Sequence, residues 1–146
     1  MYELEVISIL YAQGINLFES LFWTGSLWKL KPPFFKNPNA DEKSWYHVIL
    51  TLLYVAPFLV LLLNGIIIKF LYCSILVWLL NDLCWHFWSV SPKFWIIWLK
   101  YYFNPFDNSV LWYVRYGIMN IPVTPKRMFL ITVFRVFILC ILYPLG

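Results

Sequence analysis

Ser44 to Trp88 reads SWYHVILTLLYVAPFLVLLLNGIIIKFLYCSILVWLLNDLCWHFW, and the length of its uncharged part decides the fold. From Ser44 to Ile68 there is no Asp, Glu, Lys or Arg over 25 consecutive positions. A helix crosses the hydrocarbon core of a bilayer with about 20 apolar residues. The stretch is too long for one crossing and suits two. Asn64-Gly65 near its middle supplies the residue types of a tight turn. The reading is a transmembrane helical hairpin over 44–88, with spans at about Trp45–Leu63 and Ile66–Trp88. Pro57 lies inside the first span. Its missing N–H and its ring clash with the carbonyl four residues back predict a kink near Leu53.

Composition supports the same class. The chain has 146 residues, 62% of them apolar and 12% charged, with a mean hydropathy of +0.73. Soluble domains carry roughly 45–50% apolar and about 25% charged residues. A short chain buries only some 60–70% of its surface, so much apolar area must meet lipid or other proteins. An all-α integral membrane protein is expected. The net charge of +4 does not imply nucleic acid, because Lys29, Lys31, Lys36 and Lys43 are spread over 15 residues and the other basic residues flank apolar segments. Cys73, Cys84 and Cys140 lie in apolar helices without a C-x-x-C pair, which argues against a disulfide framework or a zinc site.

Outward from the hairpin, residues 89–124 read as aromatic interfacial helices. KFWIIWLKYYF (93–103) and a second segment over 109–119 are too short to span, and their Trp and Tyr favour the headgroup level. Asn104-Pro-Phe-Asp-Asn108 is a turn between them. Residues 125–146 form a C-terminal span, with Thr124 as N-cap, Pro125 in the first turn and Arg135 in the middle. Residues 1–43 read as an amphipathic helix followed by a Pro/Lys loop. Ile7, Leu10, Tyr11, Gly14, Leu17, Phe18 and Leu21 recur at helical spacing, but Glu3, Glu5, Gln13, Asn16 and Glu19 interrupt the run. The longest uncharged piece, Val6–Phe18, has only 13 residues, so this helix is expected to lie on the interface or to pack against a partner. Asp41 or Ser44 is positioned to cap the following span, and no cleavable targeting pattern is visible.

Three spans then put Lys29, Lys31, Lys36, Lys43, Lys93, Lys100, Arg115, Lys126 and Arg127 on one side. Only Lys69 stands near the outer turn. That asymmetry is the positive-inside pattern; it places the N-terminus inside and the C-terminus outside. Lys93, Lys100, Arg115, Lys126 and Arg127 are the candidate contacts to lipid headgroups, cardiolipin among them.

Few residues could carry chemistry. Asp82 and His86 share a helix face at i, i+4, and folding about Asn64-Gly65 sets His47 opposite Asp82. These groups suit structural pairing or contact with a neighbouring subunit; as alternatives, the corner could relay protons or face a quinone, or His47 and His86 could hold a b-type haem. Asp82, Arg135 and Lys69 are the structural polar groups of the spans. A guanidinium in mid-span needs a partner, expected here from a neighbouring subunit's carboxylate, a backbone carbonyl or a lipid phosphate, while an internal pair with Asp82 would be strained. No nucleophile, metal, P-loop or dinucleotide signature occurs, so the chain is not expected to be an enzyme by itself.

Phe, Tyr, Trp, Ile, Leu, Asn and Lys are abundant, whereas Ala occurs three times and Gln once. The favoured residues are those with A/T-rich codons, Trp included if TGA encodes it. In this, and in stretches such as FWIIWLKYYFNPF and LNDLCWHFW, the chain resembles the small divergent inner-membrane subunits encoded by AT-rich protist mitochondrial genomes, those of ciliates especially. The resemblance implies a structural, accessory subunit of a mitochondrial respiratory (electron-transport) complex in the inner membrane. It would work beside other membrane subunits and phospholipids, with its N-terminus in the matrix. A subunit of the ATP synthase membrane sector is the near alternative, and a small haem- or quinone-binding anchor a further one.

Overall fold

The structure, a computed structural model, describes residues 2–34, 46–116 and 119–145. The expected cap at Asp41 or Ser44, together with Lys36 and Lys43, lies outside the described residues, and Arg115 is described in its backbone alone. The chain is mostly helical. In order, α1 covers Tyr2–Thr24, α2 Tyr46–Val55, α3 Leu59–Leu63, α4 Ile67–Ser89, α5 Trp95–Tyr102 and α6 Pro125–Leu142. An antiparallel pair, β1 (Trp112–Tyr116) and β2 (Met119–Val123), stands between α5 and α6. Among the described residues, four segments are long and apolar enough to cross a membrane: Glu3–Thr24, Tyr46–Leu63, Ile67–Ser89 and Pro125–Leu145.

The hairpin forms as expected, and its turn has a definite geometry. Gly65 takes φ +75°, its N–H donates to Leu62 O at 3.0 Å, and Ile66 N–H donates to Leu61 O at 2.8 Å. That double closure is a Schellman end, which needs a residue at ease in the left-handed region. The kink falls three residues later than expected. A single 3-10 turn over Ala56–Phe58 separates α2 from α3, because Pro57 cannot donate to Leu53 O. Tyr11 of α1 donates its hydroxyl to that carbonyl at 2.9 Å and so replaces the bond the proline removes.

The N-terminal helix departs most from expectation. It runs 23 residues and packs along α4 of its own chain, where an interfacial or partner-packed helix is expected. Its orientation is inverted: Ile7, Leu10, Phe18 and Leu21 face outward, while Ser8, Ala12, Asn16 and Ser20 are fully buried. Those four recur every fourth residue, a stripe of small or short side chains that lets two helices approach closely. Cys73, Val77 and Asn81 of α4 are the buried residues that complement it. The polar interruptions are therefore the inner seam and not breaks in a span.

Hydrogen bonds give the direction of packing. Glu5 meets Tyr72 and Asn16 meets Asn81, so α1 and α4 run parallel. Tyr143 stacks near Tyr72 while Arg135 meets Asp82, so α6 runs antiparallel to α4. The start of α1, the Asn64-Gly65 turn and the end of α6 thus share one end of the bundle. A full-length α1 adds one more traverse to the three expected, which is why the start of α1 and the end of α6 come together.

The other end is closed by an aromatic cap. Trp28 N–H donates to Trp88 O at 2.8 Å and Leu30 N–H to Ser89 O at 2.9 Å, pinning the chain after α1 to the end of α4. Trp98 and Tyr102 of α5 point inward and stack at 5.0 Å, with Trp112 on the far face of Tyr102 at 5.5 Å. Burial holds the Tyr102 phenol well above its ordinary pKa, so it stays neutral. The segment over 109–119 is not a second interfacial helix but β1 and the start of β2, in the register Trp112↔Val123 to Tyr116↔Met119. Eleven residues make a marginal helix, whereas alternating aromatic and β-branched residues suit a strand, and Pro122 bars helix through β2. The turn at Asn104–Asn108 is present, and Lys126 N–H reaches Asp107 O at 3.0 Å to tie it to α6. Thr124 caps α6 as expected, accepting from Arg127 N–H at 3.2 Å.

Candidate functional site

A layer of buried polar side chains crosses the bundle roughly a third of the way along α4 from its aromatic end. Asn81 is its centre. Its Nδ2 donates to Asn16 Oδ1 at 2.7 Å and to Glu19 Oε2 at 2.6 Å, and its Oδ1 accepts from Tyr54 hydroxyl at 2.6 Å. Tyr46 hydroxyl donates to Glu19 Oε1, and Asn16 Nδ2 donates to Leu80 O at 3.3 Å. Helices α1, α2 and α4 each supply members, so the network fixes their relative height. Asn16, Glu19 and Asn81 are 0%, 8% and 3% exposed, which makes such satisfaction obligatory: an unmet polar group in an apolar interior costs about 1–3 kcal/mol.

One residue further along α4, Asp82 forms an ion pair with Arg135 of α6. The guanidinium carbon also lies 3.9 Å from the ring centre of Trp78, one turn back on α4. This corrects the expectation that Arg135 takes its partner from outside the chain. With the helices packed, position 135 comes level with position 82, and the long arginine stem spans the remaining gap. A buried ion pair with a cation–π face is self-contained, and removing either partner exposes the other's full desolvation cost.

The expected corner of His47, Asp82 and His86 is only partly assembled. His47 lies within electrostatic reach of Asp82. His86, although one turn from Asp82 on the same helix, turns into the aromatic cap: it is 1% exposed, 4.1 Å from the Phe87 ring and edge-on to Trp95 at 6.2 Å. Neither of its ring nitrogens makes a hydrogen bond of ordinary geometry. Among the described residues no three His, Cys, Asp or Glu side chains gather as a metal site. Lys69 stands at the opposite end beside Glu5, Tyr72 and Tyr143. Lys93, Lys100, Lys126 and Arg127 are exposed at the aromatic end, where Arg127 Nη1 donates to Pro122 O at 2.7 Å and Lys93 sits over Phe94 at 5.0 Å.

Sequence reasoning missed Glu19, Asn16, Asn81, Tyr46 and Tyr54. A signal existed: Ser8, Ala12, Asn16 and Ser20 at intervals of four, with Glu19 beside them, mark a polar face on an otherwise apolar helix. An open cleft of about 260 Å³ lies at the aromatic end, walled by Gln13, Trp28, Phe87, Trp88, Pro92 and Trp95. Protein-family models, curated proteins and solved structures contain no match to this chain.

Proposed function

We propose that the chain is a structural, accessory membrane subunit of a mitochondrial respiratory complex. The observation that carries this reading is the contrast between charged and amide side chains that pair inside the bundle and an apolar exterior that the chain leaves uncovered. Asp82–Arg135 and the Asn81 network close inward, while Leu10, Phe18, Leu63, Phe134 and Phe137 are all more than 60% exposed. Exposed apolar area on this scale is stable only against lipid or neighbouring subunits. Nine of the eleven Lys and Arg residues fall in the sequence between α1 and α2 or between α4 and the first turns of α6, and those whose side chains are described, Lys29, Lys31, Lys93, Lys100, Lys126 and Arg127, are at the aromatic end; this supports placing that end on the matrix side, with phospholipid headgroups, cardiolipin included, as their partners. The mitochondrial assignment is supported by the compositional resemblance.

Native gel electrophoresis of mild detergent extracts tests the reading. The chain is expected only in a large assembly that oxidises a quinol; recovery as a stable monomer overturns it. If the assembly hydrolyses ATP instead, the chain belongs to the ATP synthase membrane sector. A haem- or quinone-holding role for His86 is a second reading, favoured by ring nitrogens that make no hydrogen bond of ordinary geometry. It requires a reduced-minus-oxidised b-type spectrum, or a bound quinone, that His86→Ala removes.

A further inference from the structure

Among the described residues, the Asn81 layer holds more negative charge than the positive charge that pairs with it. Asp82 is matched by Arg135, and the partners described for the Glu19 carboxyl are both neutral: Asn81 Nδ2 on Oε2 and the Tyr46 hydroxyl on Oε1. The described titratable or charged groups of this layer are Tyr46, His47 and Tyr54 on α2, Asp82 on α4, Tyr102 on α5 and Arg135 on α6. Arg135 is engaged by Asp82 and Trp78, and Asp82 is a second negative charge. An isolated carboxylate in such surroundings is costly and is relieved by taking up a proton.

We propose that Glu19 is a buried proton-binding site, held as a neutral carboxylic acid in the folded protein at neutral pH. The proton's place follows from the donors. The Asn81 amide nitrogen has no lone pair to offer, so it can only donate to Oε2. As the neutral acid, Glu19 carries its proton on Oε1, and the Tyr46 hydroxyl, which donates to that oxygen when it is a carboxylate, turns to accept instead. Tyr46 begins α2 and packs its ring on Phe22 and Trp23, both exposed at the end of α1. The exchangeable proton therefore faces the basic, aromatic end of the bundle. The proposal rests on burial and pairing within the chain, so it stands or falls apart from the respiratory assignment.

A neutral acid in an apolar site adds to a lipid-soluble carbodiimide. The acid proton moves to one nitrogen, the carboxyl oxygen bonds to the central carbon, and an O-to-N acyl shift leaves a stable N-acylurea, so the whole reagent is retained. Membranes containing the full chain are treated with dicyclohexylcarbodiimide at neutral pH, and the peptides are mapped by mass spectrometry. The expected result is one adduct, on Glu19, that is absent in Glu19→Gln and unchanged in its position in wild-type chain labelled at lower pH. No adduct on a recovered Glu19 peptide, or an adduct on Asp82 instead, overturns the proposal. Infrared difference spectra of wild type against Glu19→Gln give an independent readout. Loss of a protonated-carboxyl C=O band supports the proposal, and loss of carboxylate bands alone places the proton elsewhere, on His47 for example, and refutes it.

Discussion

Arg135 and Asp82 show how much hangs on a single pair. With one partner gone, the other is left charged and buried, at a cost of about 3–5 kcal/mol. Arg135→Leu should therefore destabilise the bundle by that order in denaturant titrations in detergent, and should weaken assembly before it changes turnover. The double variant Asp82→Leu/Arg135→Leu should recover much of the loss, since both charges are then absent; a double variant as unstable as the single would contradict the pairing. Tyr11 offers a finer test. Its hydroxyl serves the Leu53 carbonyl that Pro57 leaves without a donor. Tyr11→Phe should cost about 1 kcal/mol in the native chain and close to nothing in a Pro57→Ala background, where the helix regains its own donor. Equal costs in both backgrounds would disprove the substitution of one bond for the other.

At the scale of elements, the seam between α1 and α4 depends on small side chains. Ala12 is completely buried within it. Ala12→Leu inserts three heavy atoms where the helices touch and should cost about 1–3 kcal/mol, read as a loss of α1 protection in hydrogen exchange. The same change at outward-facing Gly14 should be tolerated, since no atom lies within 4 Å of an added Cβ there. The face a helix buries was legible here only in part. Ile7, Leu10, Phe18 and Leu21 were recognised as one stripe, but in an apolar surrounding the apolar stripe turns outward and the polar one inward. Periodicity identifies two faces without saying which solvent each will meet. The segment over 109–119 failed for a different reason: its residues suit a strand only if a second strand pairs with them, and that partner is β2.

For the whole molecule, the arrangement of ends is the testable quantity. Tags on the N- and C-termini should report the same side of the membrane, and residues such as Lys31 or Lys93 the opposite side. Termini on opposite sides would remove α1 from the set of crossing helices.

Much of this architecture is written in the order of residues. The charge-free run from Ser44 to Ile68 dictates a helical hairpin, because backbone groups in an apolar medium must be satisfied locally. Asn64-Gly65 and Pro57 place its turn and its break, and Thr124-Pro125 starts the last helix. The pairings are another matter. That Asp82 meets Arg135, that Glu19 meets Asn81, and that Tyr11 completes the bond Pro57 lacks all depend on the height at which separate helices come to rest. Height is set by side-chain packing summed along α1, α4 and α6. Local propensity does not contain that sum, and only the packed bundle resolves it.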